Sequence, residues 1–152
     1  MLSMKAKYGL RALTVLAREY GQGPVLIADL AAMERIPHKF LELILLELKR
    51  KGILQSKKGK GGGYHLSRPP SMVSLGELIR VLDGPLALLP CVSQTAYRRC
   101  DECADELTCG IRGVMKEVRD ATSSILDATT LADVITRSRQ MVESGRPTMY
   151  HI

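Results

Sequence analysis

Apolar residues recur at helical spacing through the first third of the chain and predict three successive helices. In the third of them, Leu41, Ile44, Leu45 and Leu48 stand three or four positions apart and form one buried stripe. Breaks fall at the GQGP segment (21–24), at Pro37 and at Gly52, with Pro37 expected in the first turn of the third helix. The predicted helices cover residues 3–19, 28–35 and 37–51.

Two short segments rich in β-forming residues follow the third helix and predict a hairpin. Residues 53–57 and 64–67 flank the turn KGKGGG, which is rich in Gly and Lys. A close pair of helices followed by such a hairpin is typical of a winged helix-turn-helix, whose second paired helix enters the DNA major groove. The sequence therefore predicts a mainly α fold with a small β-hairpin.

The second half of the chain predicts three more helices around one segment without periodicity. Ser74 and Glu77 have the spacing of a capping box, and Thr130 is expected to cap the last helix. The predicted helices cover residues 74–83, 111–127 and 131–143. We expect four regions: a winged helix-turn-helix DNA-binding domain (1–83), a cysteine-rich loop (84–110), a dimerisation helix with a C-terminal helix (111–143) and a flexible tail (144–152).

The predicted long helix is more apolar than packing on a small winged domain requires. Its apolar side chains share one face: Ile111, Val114, Met115, Val118, Ala121, Ile125 and Leu126. That face either packs on the first helix and on the helix at 74–83, or pairs with a second copy of the chain. We favour a two-fold homodimer, since palindromic operators require one.

Composition excludes several classes of protein. The 152 residues are 45% hydrophobic with one Phe and no Trp, which fits one compact domain with an aliphatic core and excludes wholesale disorder. No segment approaches the roughly 20 apolar residues of a membrane span, and the N-terminus lacks the continuous apolar core of a signal peptide. We therefore expect a cytoplasmic protein without a membrane partner.

Charge divides the chain into two unequal halves. Residues 1–72 hold 13 of the 22 Lys and Arg residues but only 5 of the 16 Asp and Glu residues, whereas residues 73–152 are slightly acidic. A basic half favours an anionic partner, either nucleic acid or a membrane surface. Beside a predicted helix-turn-helix, double-stranded operator DNA is the expected partner.

Two groups of residues are candidates for DNA contact. His38, Lys39 and Glu42 share the polar face of the third helix, where Lys39 can donate to guanine and Glu42 can accept from cytosine. Glu42 has a second interpretation, as an acidic residue that favours the helix dipole. In the hairpin turn, three lysines are expected to contact phosphates, and two glycines allow close backbone approach. These turn residues are Lys57, Lys58, Lys60, Gly61 and Gly62.

Four cysteines lie within 19 positions, in the pattern C-x8-C-x2-C-x5-C. They are Cys91, Cys100, Cys103 and Cys109. In a cytosolic chain this density favours a metal or redox site over a disulfide framework. An iron–sulfur cluster and structural zinc fit the spacing about equally. A thiol switch at Cys100, activated by Arg98 and Arg99, is a third possibility, and unrelated cysteines are a fourth.

No enzyme is predicted, and no catalytic residue is proposed. The histidines stand at positions 38, 65 and 151, far in sequence from the cysteines, so a redox enzyme lacks its general base. A zinc-stapled interaction module without DNA binding would explain the cysteines but not the lysine-rich turn.

The combination of motifs resembles the IscR, NsrR, RirA and CymR family of bacterial winged helix-turn-helix regulators, the Rrf2 family. The resemblance covers about residues 1–143. The matching segments are MKAKYGLRAL (4–13), Leu41-Glu42, LKRKGIL (48–54), GKGGGY (59–64), SLGELI (74–79) and TLAD (130–133). It implies a dimeric transcription factor whose cysteine loop holds an iron–sulfur cluster, [2Fe–2S] in preference to [4Fe–4S], or in some members a thiol sensor without a cluster.

The resemblance also assigns roles to the cysteines. Cys91, Cys103 and Cys109 match the three cysteines of cluster-binding members, and Cys100 is additional. IscR-like members often use a histidine three residues after the last cysteine as the fourth ligand, and this chain has Arg112 there. NsrR-like members use a carboxylate near the start of helix 1, where this chain has no acidic residue before Glu19. Cys100 is therefore the candidate fourth ligand, with zinc as the alternative metal.

Overall fold

The computed structural model describes residues 1–145, which contain six α-helices and one two-stranded antiparallel sheet. The first half holds α1 (Met4–Arg18), α2 (Ile27–Glu34), α3 (His38–Arg50), β1 (Leu54–Lys57) and β2 (Gly63–Leu66). The second half holds α4 (Leu75–Asp83), α5 (Gly110–Ala128) and α6 (Leu131–Glu143). Two short 3-10 turns lie at Pro70–Met72 and Pro90–Val92. The predicted mainly α fold with a small hairpin is confirmed.

Helices α1, α2 and α3 pack around an aliphatic core. The predicted stripe of α3 is confirmed, since Leu41, Ile44, Leu45 and Leu48 are all buried. They contact buried leucines of the neighbouring helices, among them Leu13, Leu16 and Leu30. Pro37 differs from its predicted place, because its extended backbone (ψ 126°) makes it the residue before the helix, and the first helical residue is His38. A proline there still ends α2 and fixes where α3 begins.

The hairpin forms the wing, which here means β1, β2 and the turn at residues 58–62. Its register pairs Leu54 with Leu66 and Lys57 with Gly63. Val25 pairs with β2 as an isolated antiparallel bridge, because its N–H and C=O each bond to Tyr64 at 2.9 Å. Gly62 is required in this turn, since a Cβ there would lie 2.3 Å from the Lys57 carbonyl oxygen.

Only half of the predicted capping box of α4 is present. The Ser74 hydroxyl accepts a bond from the Glu77 N–H at 3.2 Å, as predicted. The Glu77 carboxylate does not bond back to Ser74; it pairs with Arg68 at 2.5 Å. A complete capping box occurs instead at α6, between Thr130 and Asp133. The prediction was wrong in this half because a carboxylate bonds a nearby guanidinium more strongly than a neutral N–H.

Helix α6 completes the core of the winged domain. The Leu75 N–H bonds to the Thr129 carbonyl at 2.8 Å, and the Leu131 N–H bonds to the Val73 carbonyl at 2.9 Å. These bonds bring the start of α6 beside the start of α4, and α6 then packs on α1 with Leu131 and Ile135 buried. The core thus draws on both ends of the described chain.

Helix α5 lies outside this core and has no buried residue. The Arg80 guanidinium of α4 bonds both carboxylate oxygens of Asp127 near its end, at 2.6 and 2.9 Å. The approach is so close that a Cβ at Gly76 would lie 1.9 Å from an Asp127 oxygen. None of the helices in residues 1–145 has the length and apolarity needed to cross a membrane. Of the predicted tail, all but Ser144 and Gly145 lies outside the described residues.

Candidate functional site

The exposed face of α3 presents the three residues predicted to read bases. His38, Lys39 and Glu42 are all exposed. At 100° per residue, His38 and Glu42 are about 40° apart around the helix and Lys39 lies about 100° from His38, so the three share one side. In residues 1–145 Glu42 forms no ion pair, which leaves its carboxylate free to accept a bond from a ligand.

An open groove of about 520 Å³ lies between this face and the wing. His38 lines it from α3, Lys57 and Lys58 line it from the wing, and Ala28 belongs to the start of α2. We call His38, Lys39, Glu42, Lys57 and Lys58 the reading surface. The structure thus brings one residue of the helix group and two wing lysines to one concave surface.

Lys49 is a groove residue that sequence reasoning missed. It lies eleven residues after His38, three helical turns, and therefore on the same side of α3. Its ammonium group donates to the Ser56 hydroxyl of the wing at 2.6 Å, so it joins helix and hairpin across the groove. The spacing of eleven residues from His38 could have predicted this position from the sequence.

The tip of the wing lies beyond the groove. Lys60 and Gly61 are exposed and do not line it, whereas Gly62 is buried against the Lys57 carbonyl. Within the described residues Lys57, Lys58 and Lys60 form no ion pair with a carboxylate. Three free ammonium groups along one hairpin suit contacts to a polyanion.

A brace of side chains fixes the start of α3. The Phe40 ring meets the Tyr8 ring of α1 edge-to-face, with centroids 5.7 Å apart. The Arg11 guanidinium lies 6.0 Å from the Tyr8 ring and bonds the Glu34 carboxylate of α2 at 3.0 Å. Helix α3 is thereby tied to α1, and α1 in turn to α2, beside the exposed face of α3. The sequence offered no signal for this brace, because it joins three separate elements.

All four cysteines are free thiols, and their environments differ. Cys91 is buried at 8% exposure in the turn Pro90–Val92, Cys100 is exposed, and Cys103 and Cys109 are half-buried. Cys91 and Cys100 line a common cavity of about 180 Å³ with Arg98 and Arg99. The structure therefore places two of the four predicted ligands around one space.

Polar bonds between its own residues hold the cysteine loop together. The Arg98 N–H bonds to the Pro90 carbonyl at 3.2 Å, and the Tyr97 hydroxyl donates to both oxygens of Glu106 at 2.8 and 2.9 Å. This carboxylate raises the pKa of Tyr97. Arg99 donates to the Cys103 carbonyl at 3.3 Å. Tyr97 and Glu106 thus close the segment that carries Cys100 and Cys103.

Three of the thiols lie close enough to influence one another. Partial burial raises the pKa of the Cys103 thiol, and the nearby Cys109, Cys100 and Glu106 raise it further because a second negative charge is unfavourable there. A bound cation would relieve that repulsion. Cys109 precedes the first turn of α5, where its sulfur accepts a bond from the Arg112 N–H at 3.5 Å.

The donor set suits a metal centre, although it is not assembled into one. Thiolates are the ligands that iron–sulfur clusters and structural zinc prefer, and four complete either shell. In residues 1–145 no three His, Cys, Asp or Glu side chains converge at metal-binding geometry. The residues fit such a group by chemistry and by their common loop, and binding would have to draw them together.

Helix α5 exposes the apolar face predicted for dimerisation. Ile111, Val114, Val118 and Ile125 are between 39% and 67% exposed. Met115 and Leu126 of the same predicted face are half-buried, and α5 packs on α4, so this face is partly covered within the chain and partly exposed. An apolar stripe of this length on a helix is typical of a surface that pairs with another molecule.

Comparison with known proteins identifies relatives of this architecture. The family model Rrf2, described as an iron-dependent transcriptional regulator, matches residues 2–137. A curated rrf2-like HTH-type transcriptional regulator of Rhodobacter capsulatus is 42% identical over 138 residues, 89% of this chain and 92% of that protein.

Two solved structures are similar in fold. CymR of B. subtilis, described as the global cysteine regulator, superposes with a TM-score of 0.75 at 29% identity, covering 90% of this chain and 97% of that one. IscR of T. potens superposes with a TM-score of 0.75 at 26% identity, covering 99% and 96%.

Proposed function

The chain belongs to the Rrf2 family of transcriptional regulators, and we propose that an iron–sulfur cluster in its cysteine loop controls how it binds operator DNA. Members of this family are regulators and not enzymes, and they bind DNA as dimers. The observation that carries the proposal is the shared cavity of Cys91 and Cys100, within a loop that leads directly into α5.

DNA reading rests on α3 and the wing. Lys39 donates to the guanine acceptors of one base pair, and Glu42 accepts from a cytosine amino group in the major groove. Lys57, Lys58 and Lys60 contact phosphates, while Gly61 and Gly62 let the backbone of the turn approach closely, Gly62 by fitting against the Lys57 carbonyl inside the turn. The free carboxylate of Glu42 and the free wing ammonium groups support these roles.

A homodimer presents two such surfaces to a two-fold operator. The exposed apolar face of α5 is the surface proposed for pairing, since two copies would cover Ile111, Val118 and Ile125 from water. A shift of α5 then changes the spacing of the two α3 helices, and DNA affinity follows that spacing.

Cys91, Cys103 and Cys109 would hold the cluster, with Cys100 as the fourth thiolate. The cluster, [2Fe–2S] in preference to [4Fe–4S], supplies a group that redox conditions, iron–sulfur supply or nitric oxide can alter. The protein residues orient it: Cys91 from a buried turn, Cys109 from the start of α5, and Cys100 and Cys103 from the segment closed by Tyr97 and Glu106. Drawing these thiols together reorders the cysteine loop against α5.

Anaerobic purification tests the proposal directly. The protein is expected to be brown, with visible charge-transfer absorbance and with iron and sulfide in equal amounts. Replacing Cys91, Cys103 or Cys109 by Ala should abolish the colour, and Cys100→Ala should give a cluster that decays faster in air. Colourless protein with stoichiometric zinc contradicts the proposal, and an equally stable cluster in Cys100→Ala removes Cys100 from the ligand set.

DNA binding is tested separately, with a site selected from random-sequence duplexes as the probe. Lys58→Ala should weaken binding to all sequences alike. It should also make the negative slope of log K against log salt shallower by about 1. Glu42→Ala should relax preference at one base pair, costing about 1–3 kcal/mol of discrimination there. Lys116→Ala, an exposed lysine on α5, is the matched control and should change neither quantity.

A thiol switch or a structural zinc is the second candidate. The thiol switch is favoured by the similarity to CymR, described as a cysteine regulator, and by the absence of a converged ligand group in residues 1–145, whereas zinc would use the same four thiolates as the cluster. Under the thiol switch, purified protein is colourless and metal-free, and its DNA affinity changes with oxidant and recovers with reductant. Zinc at one equivalent, with affinity insensitive to mild oxidant, indicates a structural site.

A further inference from the structure

Two arginines of α5 hold the buried turn that carries Cys91. The Arg112 Nε donates to the Cys91 carbonyl at 3.3 Å, and the Arg119 Nη1 donates to the Val92 carbonyl at 2.5 Å. Seven residues separate the two arginines, two helical turns, so both project from one side of α5. Building on the proposed function, we propose that this arginine clamp (Arg112 and Arg119) positions Cys91 for ligand binding and connects the cysteine loop mechanically to α5.

The clamp supplies donors that the buried turn lacks. Cys91, Val92 and Ser93 are all below 9% exposure, and a buried carbonyl without a partner is costly. Backbone N–H groups in the turn bond to the carbonyls of Leu89 and Pro90, but within residues 1–145 none bonds to those of Cys91 and Val92. The guanidinium groups of the two arginines donate charge-assisted hydrogen bonds to these two carbonyls instead. Arg119 has its side chain only 12% exposed, so its bond is shielded from water.

Arg112 also contacts the other end of the ligand set. Its side chain holds the Cys91 carbonyl, and its own N–H donates to the Cys109 sulfur at 3.5 Å. One residue thereby fixes the first and last cysteines of the loop relative to each other. This is the position where the resemblance to IscR-like proteins expects a histidine ligand. In this chain the side chain there holds the backbone of a ligand residue, and the fourth donor must come from elsewhere.

The test measures the reactivity of single thiols in reduced, metal-free, full-length protein. Timed labelling with N-ethylmaleimide, followed by mass spectrometry of each cysteine peptide, gives four rates. Cys91 should react slowest, since it is the buried thiol. In Arg112→Ala and in Arg119→Ala its rate should rise about tenfold because the turn opens more often, while the Cys100 rate changes less than about twofold. This measurement needs no cluster and stands even if the protein proves colourless.

Control variants separate the clamp from general destabilisation. Lys116→Ala lies between the two arginines on the same helix and should leave all four rates unchanged. Arg112→Lys and Arg119→Lys keep a donor and should restore part of the protection. Unchanged Cys91 labelling in both alanine variants overturns the proposal. So does an equal rise at Cys91 and Cys100, or an equal rise in Lys116→Ala, since either indicates loosening of the whole loop.

Discussion

The winged domain and the cysteine loop are built from different contacts. The winged domain buries its leucines around α3 and braces the start of that helix with Tyr8 and Phe40, so its reading surface is formed before DNA arrives. The cysteine loop buries little except the turn at Cys91, and hydrogen bonds to exposed side chains close the rest. Apolar burial makes a region rigid, whereas exposed polar bonds open readily in water. The surface proposed to contact DNA therefore rests on a packed core, whereas the loop proposed to bind a cluster lies outside that core.

The largest effect is expected from removing a core side chain of the winged domain. Leu45→Ala deletes a fully buried side chain of α3 and should lower the free energy of unfolding by about 2–5 kcal/mol, with loss of DNA binding. Urea denaturation followed by circular dichroism measures it. Leu43→Ala, at a 64% exposed position of the same helix, is the control and should leave the free energy of unfolding nearly unchanged. Equal losses in both variants would show that the stability of the winged domain does not depend on its buried leucines.

A second, smaller effect is expected where the two regions are joined. Gly76→Ala places a methyl group against the Asp127 carboxylate, which should turn away and lose its pair with Arg80, costing about 1 kcal/mol. Gly113→Ala, on the open side of α5, should instead stabilise the protein by about 0.5–1 kcal/mol, because alanine favours helix. Thermal unfolding of the two variants gives the comparison. If Gly76→Ala stabilises the protein as much as Gly113→Ala does, the pair between Arg80 and Asp127 does not hold α4 and α5 together.

Acid should weaken the same joint gradually. The Arg80 guanidinium lowers the pKa of Asp127 through the hydrogen bonds it donates. A folded-state pKa below the unfolded one gives stability that is present above the unfolded pKa, near 4, and lost as pH falls through the folded value. Asp127→Asn removes this contribution. The stability difference between wild type and Asp127→Asn should therefore shrink from pH 7 towards about pH 2. A difference constant across that range contradicts the assignment.

The smallest global effect is expected inside the cysteine loop. Tyr97→Phe removes the bond to Glu106, which is exposed, and should change the free energy of unfolding by less than about 0.5 kcal/mol. Amide hydrogen exchange at residues 98–106 should nevertheless speed up several-fold, because the closure of that segment is lost. Tyr20→Phe, an exposed tyrosine without a side-chain bond in the described residues, should alter neither measurement. If Tyr97→Phe lowers the free energy of unfolding as much as Leu45→Ala does, the cysteine loop is as important to stability as the core of the winged domain.

The sequence predicted the winged domain well because its signals are local. Leucines at helical spacing, a proline before α3 and glycines in the wing turn each act within a few residues, and the helix bounds followed to within about two positions. The Glu77 carboxylate escaped prediction because its partner Arg68 competes with a local capping bond. Burial depends on contacts between distant segments, so the structure was needed to show which apolar side chains of α5 are exposed.

The cysteine loop could be located but not arranged from sequence. Four thiols in an aperiodic segment indicate their chemistry, yet which of them share a cavity depends on how the chain folds back at Pro90 and Arg98. The arginine clamp was equally hidden, since Arg112 and Arg119 bond carbonyls 21 and 27 residues earlier in the chain. Lys49 is the exception, because the helical period alone places it on the same side of α3 as His38.

The paired backbone at Val73–Leu75 and Thr129–Leu131 anchors both ends of the segment that carries the cysteine loop. The start of α4 lies beside the start of α6, so the chain departs and returns at one backbone pairing, and the cysteine loop and α5 are the part of this excursion that lies outside the core. Segments with closely spaced, anchored ends can change in length and composition with little effect on the core they leave. The cysteine loop could therefore change in length and composition during evolution while the winged domain stayed the same.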